Sequence, residues 1–344
     1  MSVFNGEHYV ESAINSILSQ TFLDYEFLII NDGSNDNTGG IIERYNDPRI
    51  AVIHNKVRIG LTKSLNIGLR SALGEYIARH DCDDVSTSHR LADQVRYLDE
   101  HEEVTIVGGQ FRLIDSNGST LPTPPIKKAP GMRGILLHLA IDNPFVHSAV
   151  MFRKKAVLEL GGYNEEYQTS QDIELWSRLL CRHEGANLTS QVIDLRVHDK
   201  SVSAGSYRVS QGDERERTIR RGTGLMRSNV RRLFSEEQLS DEWLDLYVGV
   251  YIGRGPQSER QAKLLVRGMN NIAAYARQIS EHDRRYALQL VSSKYYLMCV
   301  FLLRRFFITD ALHAFILAFL ADPEYVVEQL FGSALNFLKR RYAC

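Results

Sequence analysis

The chain has 344 residues, 44% hydrophobic and 24% charged, with a formal net charge of −1. This is ordinary globular composition, with material for one large domain plus an appendage or for two domains, and it exerts no global pull toward nucleic acid or an acidic membrane. The four cysteines (Cys82, Cys181, Cys299, Cys344) are scattered and form no C-x-x-C pair, so a reduced, cytoplasmic setting is expected rather than a disulfide framework.

The first half alternates between strand and helix signals. "MSVF" is short and strand-like, and "EHYVESAINSILSQ" carries Tyr9, Val10, Ala13, Ile14, Ile17 and Leu18 at helical spacing. "FLIIN" (27–31) is an apolar run of strand length. "DGSNDNT" is turn and capping chemistry, "IIERY" continues as helix, and "IAVIH" (50–54) is another strand. Residues 61–73 read as helix with Gly74 as the stop. "YIARH" is the next strand, "HRLADQVRYLDEH" a helix and "VTIVGGQFRLID" a strand. Beyond residue 120 the rhythm changes. "STLPTPPIKKAPG" is a Pro-rich surface loop, "FVHSAVMF" a strand, "RKKAVLELGG" and "SQDIELWSRLLCRH" helices, and "QVIDLRVHDKSVSAG" a strand leading into a polar loop. From about 207 onward the pattern is helical. No basic segment followed by an apolar run opens the chain, so no signal peptide is expected. Its most apolar stretch, 295–321, is broken by Arg304, Arg305 and Asp310.

A β-α-β-α order implies a largely parallel, Rossmann-like sheet flanked by helices, which binds ligands at the carboxyl ends of its strands. Two acidic clusters fall at such ends. In "NDGSNDNT", Asp32 is either a turn and cap residue or a carboxylate that accepts hydrogen bonds from a ligand's N–H or hydroxyl groups. In "RHDCDD", Asp81, Asp83 and Asp84 crowd like charge into four residues. A D-x-D there suits a hard divalent cation; the plain alternative is an acidic helix N-terminus, which suffices for Asp84. Asp172, opening the amphipathic "TSQDIELWSRL" helix, is by itself a first-turn acid. His198, at a strand end before a polar loop, is a candidate third metal ligand.

Together these segments resemble the family 2 glycosyltransferases, inverting enzymes of the GT-A fold. "FLIINDGSNDNT" resembles the family's V-D-D-G-S-x-D-x-T signature, with Asn31 in place of the first acid. "NKVRIGLTKSLNIGL" is similar to its N-x-G-L-x-x-A-L-N-x-G segment. "GEYIARHDCDD" resembles G-x-Y-I-A-x-x-D-A-D-D, with Cys82 for alanine. "NPFVHSAVMFRKKAVLELGGYNEEY" and "SQDIELWSRL" resemble the acceptor-side block and the E-D-x-x-L-W-x-R helix, with Gln171 for glutamate. The resemblance covers about residues 1 to 205. The family usually carries several residues before "MSVFN", so a short first strand is expected.

The resemblance implies a GT-A catalytic domain over 1–205 and a helical C-terminal region over 206–344. It implies a sugar transferred from a nucleotide-diphosphate donor, a UDP-sugar by preference, to the hydroxyl of a glycan or lipid-linked glycan in surface-polysaccharide or glycolipid synthesis. Ser2, Asn5, Asp32 and Asp81 would line the nucleotide pocket. Asp83, with His198, would hold Mg²⁺ or Mn²⁺, and Asp172 would be the general base. The rival reading is a non-catalytic nucleotide-sugar-binding partner protein. A nucleotidyltransferase is disfavoured because "MSVFNGEHYV" has no Gly-rich, basic phosphate loop. The arginines of 207–234 are interspersed with acids and read as a solvated helix face. The aromatic and aliphatic 295–320 region, with "LKRRY" at 338–342, is expected to pack as helices. Its functional alternative is peripheral contact with the inner face of a membrane, suiting a lipid-linked acceptor.

Overall fold

In a computed structural model, residues 1–121, 127–199, 213–251, 256–304, 308–323, 325–326 and 329 are described. The Pro-rich residues 122–126, the loop "SVSAG" (201–205), Arg208 and "LKRRY" fall outside them. Two compact units emerge. One comprises Met1–Thr120 and Asn143–Val209, the other Leu121–Asp142 and Ser210–Cys344.

The first unit opens with β1 (Ser2–Val3), α1 (Val10–Leu18), β2 (Phe27–Asn31), α2 (Thr38–Ile42), β3 (Ile50–His54) and α3 (Leu61–Ser71). β1, β2 and β3 pair in parallel, with Ser2 opposite Ile30 and Phe27 opposite Ile50. "FLIIN" shows no polar alternation because both of its faces are covered, as Ile29 and Ile30 are each buried. Val10, Ile14 and Ile17 of α1 share a core with Phe27, Ile29 and Ile42, which realises the helical spacing.

The chain continues as β4 (Tyr76–Ala78), β5 (Val85–Ser86), α4 (Arg90–Glu100) and β6 (Val104–Ile114). α5 (Met132–Ile141) belongs to the second unit. The first unit is completed by β7 (Met151–Arg153), α6 (Lys154–Glu159), α7 (Gln171–Leu179) and β8 (Glu184–Arg196). These strands form a sheet in the order β4-β7-β6-β8-β5. β6 and β8 are parallel, while β4–β7, β6–β7 and β5–β8 are antiparallel, so this part of the sheet is mixed rather than largely parallel. An isolated parallel bridge between Ser2 and Asp81 links it to β1. β1 pairs at only two positions. Below it an apolar cavity of about 580 Å³ opens between β2 and β4, lined by Phe27, Leu28, Leu69, Ala72, Tyr76 and Ile77 among others.

Two local expectations are corrected. "FVHSAVMF" forms a 3₁₀ turn at His147–Ala149 before the short β7, because its apolar residues Phe145, Ala149 and Val150 are consumed by core packing rather than by a ladder. α5 has no counterpart in the sequence reading, and its first turn is capped from a distance. The Asp283 carboxylate accepts from the N–H of Gly131 at 2.7 Å and of Gly134 at 3.2 Å.

The second unit adds α8 (Asp213–Val230), α9 (Asp241–Tyr251), α10 (Glu259–Gln278), α11 (Glu281–Arg304) and α12 (Ile308–Ala321). Its core includes Trp243, whose indole N–H donates to the Leu265 carbonyl at 2.9 Å and whose ring stacks on Tyr247 at 4.8 Å. Gly268 lets α10 approach the indole closely, since a Cβ there would overlap the ring. Lys294, buried, pairs with Asp142 at 2.6 Å. Arg227 and Arg231 pair with Asp241, in keeping with the solvated-face reading of this arginine-rich segment.

Candidate active site

The acidic segment follows β4 directly. Asp81 and Asp83 are half-buried, and Asp84 is almost fully buried at 1% exposure. One oxygen from each of the three carboxylates lies within 4.8 Å of the others. Such crowding favours protonation. Burial, reinforced by the charges of Asp81 and Asp83, pushes Asp84 up to about 7. Burial and the charge of Asp81 also raise Asp83, an effect opposed by the hydrogen bond from His198. His198 Nε2 lies 2.9 Å from Asp83 Oδ2, so the structure brings these two residues together from β4's end and β8's end.

Arg196, the last residue of β8, fixes that junction. Its backbone N–H donates to Asp84 at 2.8 Å, its Nε donates to the Asp83 carbonyl at 2.8 Å, and its Nη1 donates to the Asp115 carbonyl at 3.1 Å. The Tyr9 ring covers both the Arg196 guanidinium and the His198 imidazole, each at 4.8 Å. Asp84 therefore anchors β8 to the acidic segment and does not cap the next helix. Its second oxygen is buried without a hydrogen-bond partner, an arrangement that suits a hard cation's oxygen ligands.

Asp32 stands at the end of β2 at 2% exposure. Its carboxylate accepts from Asn55 Nδ2, the Ile59 N–H and the Gly60 N–H, each at 2.9 Å. It thus organises the 55–60 loop, and Arg58 of that loop lies over the Phe4 ring at 4.1 Å. Gly33 is required at the turn. Its φ is +68°, and a Cβ would come within 2.6 Å of the Arg58 backbone nitrogen. Asn5, also at positive φ (52°), is tied to the same turn: its N–H donates to Ser34 Oγ at 3.0 Å and its Oδ1 accepts from the Asn35 N–H at 3.0 Å. Ser2 is buried beside Asp81 through the β1 bridge.

Asp172 opens α7 and accepts from Asn143 Nδ2 at 2.6 Å. Burial raises its pKa above the ordinary carboxylate value, while its hydrogen bonds and the charge of Arg79 hold it down. Tyr163 feels the charges of both Asp172 and Asp81 and donates to or accepts from His147 Nε2 at 3.0 Å. Asn66 clamps Tyr163 through its backbone, at 2.9 Å in both directions. Trp176 packs beneath against Phe145, His147 and Phe152. Arg178 binds Glu174 at 2.6 Å and the carbonyls of Leu160 and Gly162 at 2.9 and 2.8 Å, which holds the Gly161–Gly162 turn. The sequence reading missed Asn143 and Arg79. Asn143 precedes a proline in an unremarkable loop, and Arg79 sits inside a strand-like run. Only an arginine two residues before the D-x-D was available as a signal.

A family model described as Glycosyl transferase family 2 matches residues 1–161. The O-antigen biosynthesis glycosyltransferase WbnJ of Escherichia coli is 33% identical over 207 residues, 59% of this chain and 80% of WbnJ. The chain belongs to glycosyl transferase family 2. Two solved structures share the fold of this family 2 protein. S. aureus TarS 1–349 in complex with UDP matches with a TM-score of 0.52 at 17% identity, covering 91% of this chain and 87% of that one. The mannosyltransferase PcManGT from Pyrobaculum calidifontis, in complex with GDP-Man and Mn²⁺, matches with a TM-score of 0.52 at 16% identity, covering 92% and 84%. At these identities the likeness is one of fold, a GT-A-like α/β architecture with added C-terminal helices. Among the described residues no helix is long and apolar enough to cross a membrane.

Proposed function

We propose that this family 2 glycosyltransferase is an inverting enzyme that moves a sugar from a nucleoside-diphosphate donor, a UDP-sugar by preference, to an acceptor hydroxyl. The observation that carries this reading is a carboxylate cluster with His198 after β4 and a separate half-buried carboxylate, Asp172, oriented by Asn143, the charges of Asp172 and Asp81 both reaching Tyr163 and that of Arg79 reaching Asp172. The catalytic portion is the α/β unit within residues 1–205, without the Leu121–Asp142 segment that belongs to the second unit, and the second unit accompanies it.

Asp83 and His198 would hold Mg²⁺ or Mn²⁺, with Asp84's free oxygen beside them. The carboxylate spacing and oxygen-rich donor set fit such an ion. When bound, the ion supplies charge neutralisation for the leaving diphosphate. The chain's own groups do the rest. Ser2, Asn5 and the loop organised by Asp32 line the nucleotide, and Asp81 lies toward the ribose. Asp172 takes the proton from the acceptor hydroxyl, which forms a bond to the anomeric carbon as the bond to the diphosphate oxygen breaks on the opposite face. One displacement inverts the centre, so no enzyme nucleophile is needed. A carboxylate raised by burial, as Asp172 is, is a stronger base than a solvated one.

The acceptor is a glycan or lipid-linked glycan of a surface polysaccharide, in keeping with the O-antigen relative. Leu312, Ile316, Phe319 and Leu320 are exposed at helical spacing on α12, a stripe that supports peripheral contact with the inner membrane face. The deciding experiment is calorimetric titration of UDP with Mn²⁺ and with EDTA, repeated for Asp83→Ala. Binding that needs Mn²⁺ and is lost in the variant is expected. Equal binding in all three would sink the metal site, and binding without any sugar transfer would favour a non-catalytic binder.

A further inference from the structure

Among the described residues, Arg79 is a strongly buried cation whose guanidinium pairs with a carboxylate of the acidic cluster, and the reaction outlined above gives it no task. It is the first residue after β4, and its side chain is 4% exposed. In extended backbone, residues i and i+2 project to the same face, so Arg79 and Asp81 meet there. Arg79 Nη1 pairs with Asp81 Oδ2, while Asp81 itself remains 33% exposed toward the site. The backbone of Arg79 is pinned on both sides. Its N–H donates to the Val150 carbonyl at 2.9 Å, and its carbonyl accepts from Arg90 Nη2 at 2.6 Å. Its Nε is buried with no hydrogen-bond partner. A buried, incompletely satisfied guanidinium is costly to retain for stability alone.

We propose that Arg79 is a positioning residue whose fixed charge withholds Asp81 from the divalent cation, so that the ion is held by Asp83 and His198 and binds well only together with the nucleotide diphosphate. This inference rests on the metal site of the proposed function. Three clustered carboxylates, once a cation displaces the protons their crowding favours, would present up to three negative charges to a free divalent ion and would capture it. One buried guanidinium cancels one of those charges and occupies one oxygen of Asp81. The negative charge left on Asp83 and Asp84, shared with His198, leaves the ion dependent on the diphosphate's own oxygens. The field of Arg79 also reaches Asp172 and Tyr163, so the same fixed cation acts on a donor-side acid and on the base.

The test is Mn²⁺ titration by electron paramagnetic resonance, with and without UDP, on wild type, Arg79→Met, Arg79→Lys and the double variant Arg79→Met/Asp81→Asn. The expected result for Arg79→Met is free-Mn²⁺ binding tighter by about tenfold, the size of one nearby charge in a partly buried site. The enhancement of Mn²⁺ affinity by UDP should shrink correspondingly, and Arg79→Lys should stay close to wild type. A merely structural defect would weaken Mn²⁺ binding instead. The double variant removes the pair without changing net charge and replaces it by neutral groups, a change that buried ion pairs commonly tolerate. It should bind free Mn²⁺ within about threefold of wild type, since only a few-fold change is expected when charge is conserved. A loss of more than tenfold there would make Asp81 a metal ligand and overturn the proposal. So would Arg79→Met binding no tighter than wild type. If wild type fails to bind Mn²⁺ even with UDP, the metal site of the proposed function fails, and this inference with it.

Discussion

The two units bury charge in opposite ways. In the helical unit two buried ions meet matching partners: Lys294 has Asp142, and Asp283 has the N–H groups opening α5. In the α/β unit the buried groups around β4 are left in surplus. Asp84 is raised to about 7 and keeps one oxygen bare, and Arg79 keeps an unpartnered Nε. Paired burial serves packing, whereas surplus charge is what a site retains for a ligand that completes it. The helical unit contains its own exception in His138, which is buried with both ring nitrogens unpartnered.

The largest expected effect probes the chemical side of this contrast. Asp172→Asn should lower kcat by about 10²–10⁴-fold, the usual worth of a general base, while UDP binding by calorimetry stays at the wild-type level. Unchanged turnover would remove Asp172 from the reaction. On the packing side, Trp243→Ala should cost about 3–5 kcal/mol in denaturant unfolding, because it empties a fully enclosed indole site and removes the indole hydrogen bond to the Leu265 carbonyl. Asn143→Ala comes next. Losing the hydrogen bond that favours ionised Asp172 should move the acid limb of the kcat/KM profile to higher pH and reduce turnover about tenfold, as loss of one charge-assisted hydrogen bond would. An unmoved acid limb would detach Asn143 from the base.

His138 sharpens the exception. Burial, helped by the charge of Lys128, lowers its pKa to about 3. An unfolded histidine titrates near 6.5, so between 6.5 and 3 the unfolded chain binds a proton that the native chain refuses. The stability is complete above about pH 6.5 and drains away as pH falls, by about 2 kcal/mol at pH 5 from this group. His147 and His80, also lowered by burial, add in the same direction. His138→Leu should flatten part of the slope between pH 7 and 5 in urea titrations; an identical slope would mean that the native state admits the proton. The smallest effect concerns the cavity between β2 and β4. Ala72→Leu should fill part of it and stabilise by about 1 kcal/mol, about one buried methylene's worth after some strain.

Much of the fold was legible from local pattern. α1, α3, α4 and α7 follow from apolar spacing, and β2 and β3 from unbroken apolar runs, because a helix or buried strand displays its covered face in its own residues. The turn at Gly33 was legible for the same reason, since its backbone conformation is a property of a few adjacent residues. The acids at strand ends were likewise visible as Asp32 and as Asp81, Asp83 and Asp84, and Asp172 as the opening of a helix. What those acids contact was not. Asp32 spends its carboxylate on Ile59, Gly60 and Asn55, Asp83 meets His198 across 115 residues of sequence, and Asp172 is steered by Asn143. α5 escaped notice because its cap, Asp283, lies far along the chain. The sequence by itself determined the elements and the kinds of chemistry present, because periodicity, turn geometry and side-chain type act over a few residues. Only the tertiary structure decided which charges are paired and which are left over, because burial and Coulombic partners are set by segments that meet in space and leave no local trace.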